Sequence, residues 1–282
     1  MSNPKRKFQF SVLMAVYAKE TAGFLQHALA SLAEQTLAAD EVLIVKDGPL
    51  GGDLEATIAA AAEILPIRTL QLARNSGLGL ALQAGVPDCR HEFIARMDSD
   101  DICAPDRFQK QVSYLLQHPE VDVLGGSIAE FEADGTSLLA VRRLARGGST
   151  LRDAAKRRNP MNHMTVMFRK SAVLAAGNYQ PVAGFEDYFL WARMLLAGFV
   201  FANLDDVLAY ARCGNGMQAR RGGLDYAREE IRFEYRLRKL GFLSWRDYFL
   251  NIMMRIPLRL APTSFRAGFY RRILRHRPET SM

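Results

Sequence analysis

Four short apolar runs open the chain, each is followed by a helical pattern, and each stops on a polar residue. Phe10 to Val16, Glu41 to Val45, Ile67 to Leu72 and Glu92 to Met97 read as strands: they are short, rich in Val, Ile, Leu and Phe, and bounded by turn-forming residues. Between them, Thr21 stands as a cap before Phe24, Leu25, Ala28, Leu29 and Leu32, which recur at helical spacing. Residues 53–65 form an Ala-rich helical stretch and 77–86 a Gly/Leu/Ala-rich one. A βαβαβαβ order predicts an α/β fold, doubly wound, with a mostly parallel sheet and helices on both faces. Sheets of this kind bind ligands beyond the carboxyl ends of their strands. The residues found there are Tyr17 to Glu20, Asp47, Arg74-Asn75, and Asp98-Ser99-Asp100-Asp101, so separate strands deliver polar clusters to one rim.

After Pro105 the pattern predicts a helix to about His118, a strand at 121–125 and a hairpin turning at Asp134-Gly135. A short basic helix at 149–158 follows, and Thr165 to Arg169 returns to the sheet. Ser171 is expected to cap a short helix ended by Gly177, and Asn178 to Gly184 reads as a mobile Gly/Pro stretch. A helix starts at Glu186-Asp187 and runs to about Leu196, then strands at 199–203 and 207–211 lead to a Gly- and Arg-rich loop, Arg212 to Gly223. The chain divides on this reading into a catalytic unit, 1–224, and a tail, 225–282. Within the first, 8–104 form the nucleotide-binding half and 105–224 the acceptor half.

Cys89, Cys103 and Cys213 are widely spaced and form no CxxC pair, which suits a reducing cytosol better than a disulfide framework. The apolar run Phe8 to Tyr17 follows basic residues, but it is short and lacks a small-residue cleavage site; a buried first strand explains it better than a signal peptide. No run approaches the roughly 20 apolar residues of a membrane span. Charge is distributed unevenly. Residues 225–282 hold 13 Lys/Arg against 6 Asp/Glu, whereas residues 1–224 hold 24 of each. In that tail Trp245, Tyr248, Phe249, Ile252, Met253, Ile256 and Leu260 recur at helical spacing, with Arg246, Arg255 and Arg259 on other faces. Phe265, Phe269, Tyr270, Ile273 and Leu274 alternate with Arg266, Arg271, Arg272, Arg275 and Arg277 in a second stretch. An apolar stripe flanked by arginines suits an interfacial helix on an anionic membrane. The expectation is a cytoplasmic protein, peripheral at the inner face of the cytoplasmic membrane; the alternative is a stripe packed on the catalytic unit or on another subunit. No recognition motif accompanies the charge, so nucleic acid is not expected as a partner.

Asp98-Ser99-Asp100 places two carboxylates one residue apart after an apolar strand. Mg²⁺ or Mn²⁺ prefers such oxygen ligands, and a divalent ion bridging two phosphates would neutralise a departing diphosphate. The alternative is an acidic turn capping the next helix. Asp47-Gly48-Pro49 and Asn75-Ser76-Gly77 are likewise good turn and helix-start sequences. Glu186-Asp187 could supply a general base, or could simply complement a helix N-terminus.

Taken in order, SVLMAVY (11–17), VKDGP (45–49), ARNSGLGLALQAG (73–85), ARMDSDDICAPDRFQKQ (95–111), NHMTVMFRKSAV (162–173) and GFEDYFLWARMLLAG (184–198) resemble the motifs of family 2 glycosyltransferases of the GT-A fold. The likeness is to the bacterial amylovoran and exopolysaccharide-biosynthesis members in particular and spans residues 8–215. It implies an inverting, metal-dependent enzyme that moves a sugar from a nucleotide diphosphate donor to a carbohydrate, lipid-linked acceptor. Ala15, Val16, Tyr17 and Glu20 would then form part of the nucleotide pocket, and Asp47 would contact the base, which favours UDP. Asn75 and Gly77 would approach the donor, Asp98 and Ser99 the sugar–ribose region, and Asp100, with Asp98, the Mg²⁺ or Mn²⁺ ion; Asp101 would be a neighbour or helix cap. Asp187 would be the base, with Glu186 as the alternative. The stretch that would hold a third, histidine ligand reads Tyr210 to Asn215 and contains none. His163 is expected to line the acceptor side, Trp191 to stack on an acceptor sugar or sit in the core, and Arg212, Arg220 and Arg221 to belong to a lid over the diphosphate. Competing readings are a sugar nucleotidyltransferase, which AVYAKETAG does not favour because it lacks a Gly-rich basic loop, and a non-catalytic membrane-associated scaffold.

Overall fold

A computed structural model describes residues 8–132, 138–182, 184–213 and 222–261. The four expected strands are present as β1 (Phe10–Tyr17), β2 (Glu41–Asp47), β3 (Ile67–Gln71) and β4 (Phe93–Met97). Helices α1 (Ala22–Ala33), α2 (Gly52–Ala62) and α3 (Leu78–Asp88) connect them. The chain continues through β5 (Ile102–Cys103), α4 (Arg107–Gln117), β6 (Val123–Glu132), β7 (Leu138–Arg142) and α5 (Gly148–Ala155). Then follow β8 (Met167–Arg169), α6 (Lys170–Ala175), α7 (Glu186–Leu196), β9 (Phe201–Cys213), α8 (Leu224–Lys239) and α9 (Trp245–Leu260).

All nine strands join one mixed sheet in the order β3-β2-β1-β4-β8-β6-β9-β5, with β7 added beside β6. β3, β2, β1 and β4 are mutually parallel, and β6 and β9 form a second long parallel ladder. β8 runs antiparallel between β4 and β6. The order reverses at β1: the chain steps outward through β2 and β3, then crosses back to place β4 on β1's other side. A crevice opens beyond the carboxyl ends of two strands at such a reversal.

Side chains alternate along the buried strands, and the two faces bury different helices. Val12, Met14 and Val16 face α1, α2 and α4 through Leu25, Leu29, Ile58 and Phe108. Leu13, Leu43 and Val45 face α3 and α7 through Leu82, Val86 and Leu190. Among the described residues no helix is long and apolar enough to cross a membrane.

Several boundaries differ from expectation. The two strands expected at 199–203 and 207–211 are one, β9, because its ladder with β6 absorbs Asp205 and Asp206 in a register shift instead of breaking. Ser171 does not cap α6; Arg169 holds the position before the helix without a side-chain capping bond, and the Ser171 hydroxyl donates to Glu92 from within the helix. The start of the stretch expected to be mobile is pinned: Asn178 takes a left-handed φ of 57°, its amide donates to the Gln83 carbonyl at 2.8 Å, and Tyr179 is fully buried. Thr21 precedes α1 without a side-chain cap. The Asp134-Gly135 turn lies outside the described residues, although the flanking β6 and β7 pair antiparallel as a hairpin requires. The tail does not begin as a separate appendage at 225. Phe233, Leu237, Phe242 and Leu243 join the core beside α7, and Phe233 stacks on Phe185 with ring centroids 4.3 Å apart. Phe233→Ala should therefore lower stability by about 3–5 kcal/mol, as truncation of a buried aromatic does. Urea unfolding would measure it, and a loss below about 1 kcal/mol would show that α8 is not integral to the fold.

Candidate active site

The fourth residue of β4 is a cation in a strand otherwise apolar. Arg96 is 2% exposed, and its Nη1 donates to Asp98 Oδ2 at 2.6 Å while Nη2 donates to Oδ1. Burial works against its charge, but the adjacent Asp98 carboxylate outweighs that and raises the guanidinium above its ordinary value. Asp98 is thus fixed by a two-pronged ion pair as the chain leaves the sheet. Next to it the Ser99 hydroxyl donates to Glu20 Oε2 at 2.5 Å, and Glu20 Oε1 accepts the Thr21 N–H at 2.7 Å. The loops after β1 and β4 are tied together across the reversal.

Negative charge accumulates here faster than Arg96 can balance it. Burial, then the charges of Asp98 and Glu20, push the Asp100 carboxyl up to about 6. Asp101, 4% exposed, is also raised well above the usual carboxylate range by burial, Asp98 and Asp100, and its Oδ1 accepts the Arg212 backbone N–H at 2.9 Å. Asp101 therefore anchors β9 rather than capping α4, whose preceding residue is Asp106. Arg212 is no lid residue: it is buried, its Nε donates to the Asp100 carbonyl at 3.1 Å, and its guanidinium lies over the rings of Phe24 and Phe131. Arg220 and Arg221 lie outside the described residues.

On the β2 side, Asp47 is nearly enclosed. Its Oδ1 accepts the Ser76 N–H at 2.7 Å and its Oδ2 the Gly77 N–H at 2.9 Å, so it satisfies orphan donors at the start of α3. Gly48 makes this possible: its φ is +88°, and a Cβ there would meet the Asn75 nitrogen at 2.6 Å. Asn75 and Gly77 are exposed on the rim. Tyr17 is also exposed at the end of β1, and Ala15 is half-buried. Val16 is not available as a pocket side chain, because strand alternation turns it into the core beneath α1 and α2.

The far wall comes from α7. A cleft of about 620 Å³ is lined by Leu78, Arg96, Asp98, His163, Glu186 and Asp187, and is closed at one side by Tyr226 from α8. Helix α3 reaches this wall as well: a Cβ on Gly79 would stand 3.2 Å from the Glu186 Cβ, so a larger residue there would push Glu186 by a few tenths of an ångström. Asp187 Oδ2 accepts Asn159 Nδ2–H at 2.5 Å, and Oδ1 accepts the Tyr188 N–H at 2.7 Å. Both acids occupy the first turn of α7, where the helix dipole favours negative charge. Glu186 is nonetheless raised, by burial first and by Asp187 second. His163 Nε2 shares a 2.8 Å hydrogen bond with the Tyr179 hydroxyl, and its Nδ1 lies 4.0 Å from Asp187 Oδ2. Burial and Arg96 hold this imidazole neutral. Trp191, by contrast, is wholly buried, edge-on to His163 and Phe201, and cannot stack on a sugar. It lies one turn after Asp187, but on a face that points into the core.

The cleft therefore unites Asp98, Glu186, Asp187 and His163. Asp100 adjoins it through Asp98, and Asp47 adjoins it through Gly77 and Leu78. Among the described residues no three or more His, Cys, Asp or Glu side chains form a ready cation cage. The chemistry still fits a hard divalent ion: Asp100 sits in uncompensated negative charge, and Mg²⁺-like ions are commonly held by one or two carboxylates plus substrate phosphates. Asp98, engaged by Arg96 on both oxygens, is the poorer ligand of the two. Sequence reasoning missed Arg96, Asn159, Tyr179 and Tyr226. A lone arginine inside an apolar strand was a usable signal for the first.

A family model described as Glycosyl transferase family 2 matches residues 11–175. An amylovoran biosynthesis glycosyltransferase of Erwinia amylovora is 42% identical over 264 residues, covering 93% of this chain and 97% of that protein. A UDP-Gal:alpha-D-GlcNAc-diphosphoundecaprenol beta-1,3-galactosyltransferase of Escherichia coli is 36% identical, covering 95% and 97%. Among solved structures, the mannosyltransferase PcManGT from Pyrobaculum calidifontis, in complex with GDP-Man and Mn²⁺, superposes with a TM-score of 0.65 at 16% identity, covering 95% of this chain and 77% of that one. That likeness is one of fold, and it marks the sheet and its helices as a GT-A arrangement.

The His163 environment yields a direct test. A histidine whose folded pKa lies below its unfolded value of about 6.5 keeps its full stability contribution above that value and loses it as pH falls. Imidazole resonances of His163 should show no protonation as pH falls through the ordinary histidine value of about 6.5. Titration near 6.5 would contradict the buried, neutral assignment.

Proposed function

The chain belongs to glycosyltransferase family 2, and on that basis we propose that it transfers a sugar, with inversion, from a UDP-sugar to a lipid-linked carbohydrate acceptor in exopolysaccharide or other cell-surface polysaccharide synthesis. One observation carries the reading: Asp98, from the end of β4, and Asp187, from the start of α7, face one cleft, so donor and proton acceptor can meet there. The similar Escherichia coli protein is named for a UDP-Gal donor and a diphosphoundecaprenol-linked acceptor, and the Erwinia amylovora protein for amylovoran biosynthesis, which supports the same classes here.

Each residue then has a stated task. Asp187 accepts the proton of the acceptor hydroxyl as that oxygen bonds to the anomeric carbon and the carbon–oxygen bond to the diphosphate breaks. A carboxylate placed this way contributes about 10²–10⁴-fold. Asn159, which donates to Asp187 Oδ2, orients the carboxylate, and neutral His163 stands beside it with Nδ1 4.0 Å from the same oxygen. Asp98, fixed by Arg96, presents its carboxylate to the donor sugar and ribose. Asp47 has both oxygens engaged by backbone N–H groups, so contact with a uracil N–H would use the second lone pair of one of them. A divalent ion on Asp100, when bound, would offset the charge developing on the leaving diphosphate. A lipid-linked acceptor would be met at the inner face of the cytoplasmic membrane, with the enzyme as a peripheral protein there.

Asp187→Asn should bind UDP normally and lose turnover by about 10²-fold or more. A larger loss in Glu186→Gln, with Asp187→Asn near normal, would move the base to Glu186. Asp100→Ala should lose the Mn²⁺ dependence of UDP binding in calorimetry; binding that keeps the same Mn²⁺ dependence would remove Asp100 from the metal site.

A further inference from the structure

Helix α9 turns its charge inward and its apolar side outward. The buried carboxylates of Glu230 and Glu234 on α8 draw it in: Arg255 Nη1 lies 2.8 Å from Glu230 Oε1 and 3.3 Å from Glu234 Oε1. Arg259 Nε lies 2.6 Å from Glu230 Oε2, and Asn251 Nδ2 donates to Glu234 Oε2 at 2.8 Å. Asp247 pairs with Arg157 at 2.6 Å, and the Asn251 amide also donates to the Lys156 carbonyl. Two of the three arginines that the sequence pattern would place beside a lipid-facing stripe, Arg255 and Arg259, are thus committed to the protein. What remains outside is Trp245, Phe249, Met253, Met254 and Leu260, each more than half exposed. Turning the helix over would strand buried charges without partners, so the orientation is fixed.

Contiguous exposed apolar surface of this kind marks an interaction site. Its setting says which kind. Arg236, Arg238 and Lys239 fill the last turn of α8 and Arg246 the first turn of α9. Arg238 lies 4.8 Å over the Trp245 ring, and Tyr235 and Tyr248 adjoin the same aromatic group. Among the described residues no carboxylate pairs with these four cations. Aromatic rings mixed with unpaired cations are the composition of a bilayer interface with anionic headgroups. The other end of the stripe reaches the cleft: Gly223 N–H donates to the Arg259 carbonyl at 3.0 Å, and the Arg259 guanidinium lies 4.9 Å over Tyr226, which lines it.

We propose that the outer face of α9 is a membrane-docking surface for anionic lipid, lying in the interface along its length of about 24 Å, with Trp245 and the cations at one end and the mouth of the cleft at the other. The surface itself is argued independently of catalysis. Its use in presenting an acceptor rests on the lipid-linked reading above, for which it sets the cleft at headgroup level.

The test is flotation of the full chain with vesicles of phosphatidylcholine, with and without phosphatidylglycerol, comparing the natural chain with the double variant Phe249→Gln, Met253→Gln. Both positions are exposed, and unchanged thermal melting would establish that the variant folds. Expected are binding that requires phosphatidylglycerol, weakening by about 10-fold or more in the variant, and UDP binding that is the same in both proteins. Equal flotation of variant and natural chain would overturn the proposal, as would a natural chain that sediments as a dimer and a variant that sediments as a monomer, which would assign the face to a second copy. Flotation involves no sugar transfer, so failure of the catalytic reading would leave its outcome unchanged, and the reverse.

Discussion

Crowded negative charge at the edge where β1 and β4 end is the condition on which the rest of this structure depends. The reversal of strand order brings Glu20 beside Ser99, and β4 releases Asp98, Asp100 and Asp101 within one turn. Arg96 is the buried answer to that charge, yet it is committed to Asp98 and leaves Asp100 at about 6. Carboxylates held this close in a partly dry setting lower their energy by taking up a cation. That is a property of the site before any substrate is considered, and it suits a ligand that brings phosphates together with a metal.

The opposite wall is built on different physics. Glu186 and Asp187 are placed by a helix N-terminus, and Asp187 is further held by an amide, Asn159, from the segment after α5. That segment is itself gripped by the helical hairpin, through Arg157 to Asp247 and Asn251, and through the Arg157 carbonyl to Arg255. The C-terminal helices therefore do more than attach to the catalytic unit. One lines its cleft with Tyr226, and the pair together braces the residue that positions the proposed base.

Much of this was legible in the residues. Strand ends at Tyr17, Asp47 and Met97 follow from apolar runs meeting turn formers, and the acidic groups at 98–101 and 186–187 announce themselves because few structural roles need so many carboxylates. What was illegible depends on partners far along the chain. Trp191 shares a helical face with Asp187 by spacing alone, but Phe168 and Phe201 enclose it. Arg255 and Arg259 look solvent-facing until Glu230 and Glu234 are found on the neighbouring helix. Arg212 reads as a loop cation, yet Asp101 and two aromatic rings hold it at the end of β9. Asn159 carries no local sign of its bond to a residue 28 positions later. Period and composition specify which face of an element is apolar; they do not specify which long-range charge will claim a given side chain.

The account's central claim is that one cleft holds a cation-bound diphosphate on the Asp100 side and a proton acceptor on the Asp187 side. Anomalous diffraction from crystals grown with UDP and Mn²⁺ measures this most directly. The predicted map has a manganese peak within coordination distance of an Asp100 oxygen and of the diphosphate, beyond the ends of β1 and β4, with Asp187 across the cleft from the β-phosphate. A peak remote from Asp100, or a nucleotide seated where Asp187 cannot face it, would contradict the account.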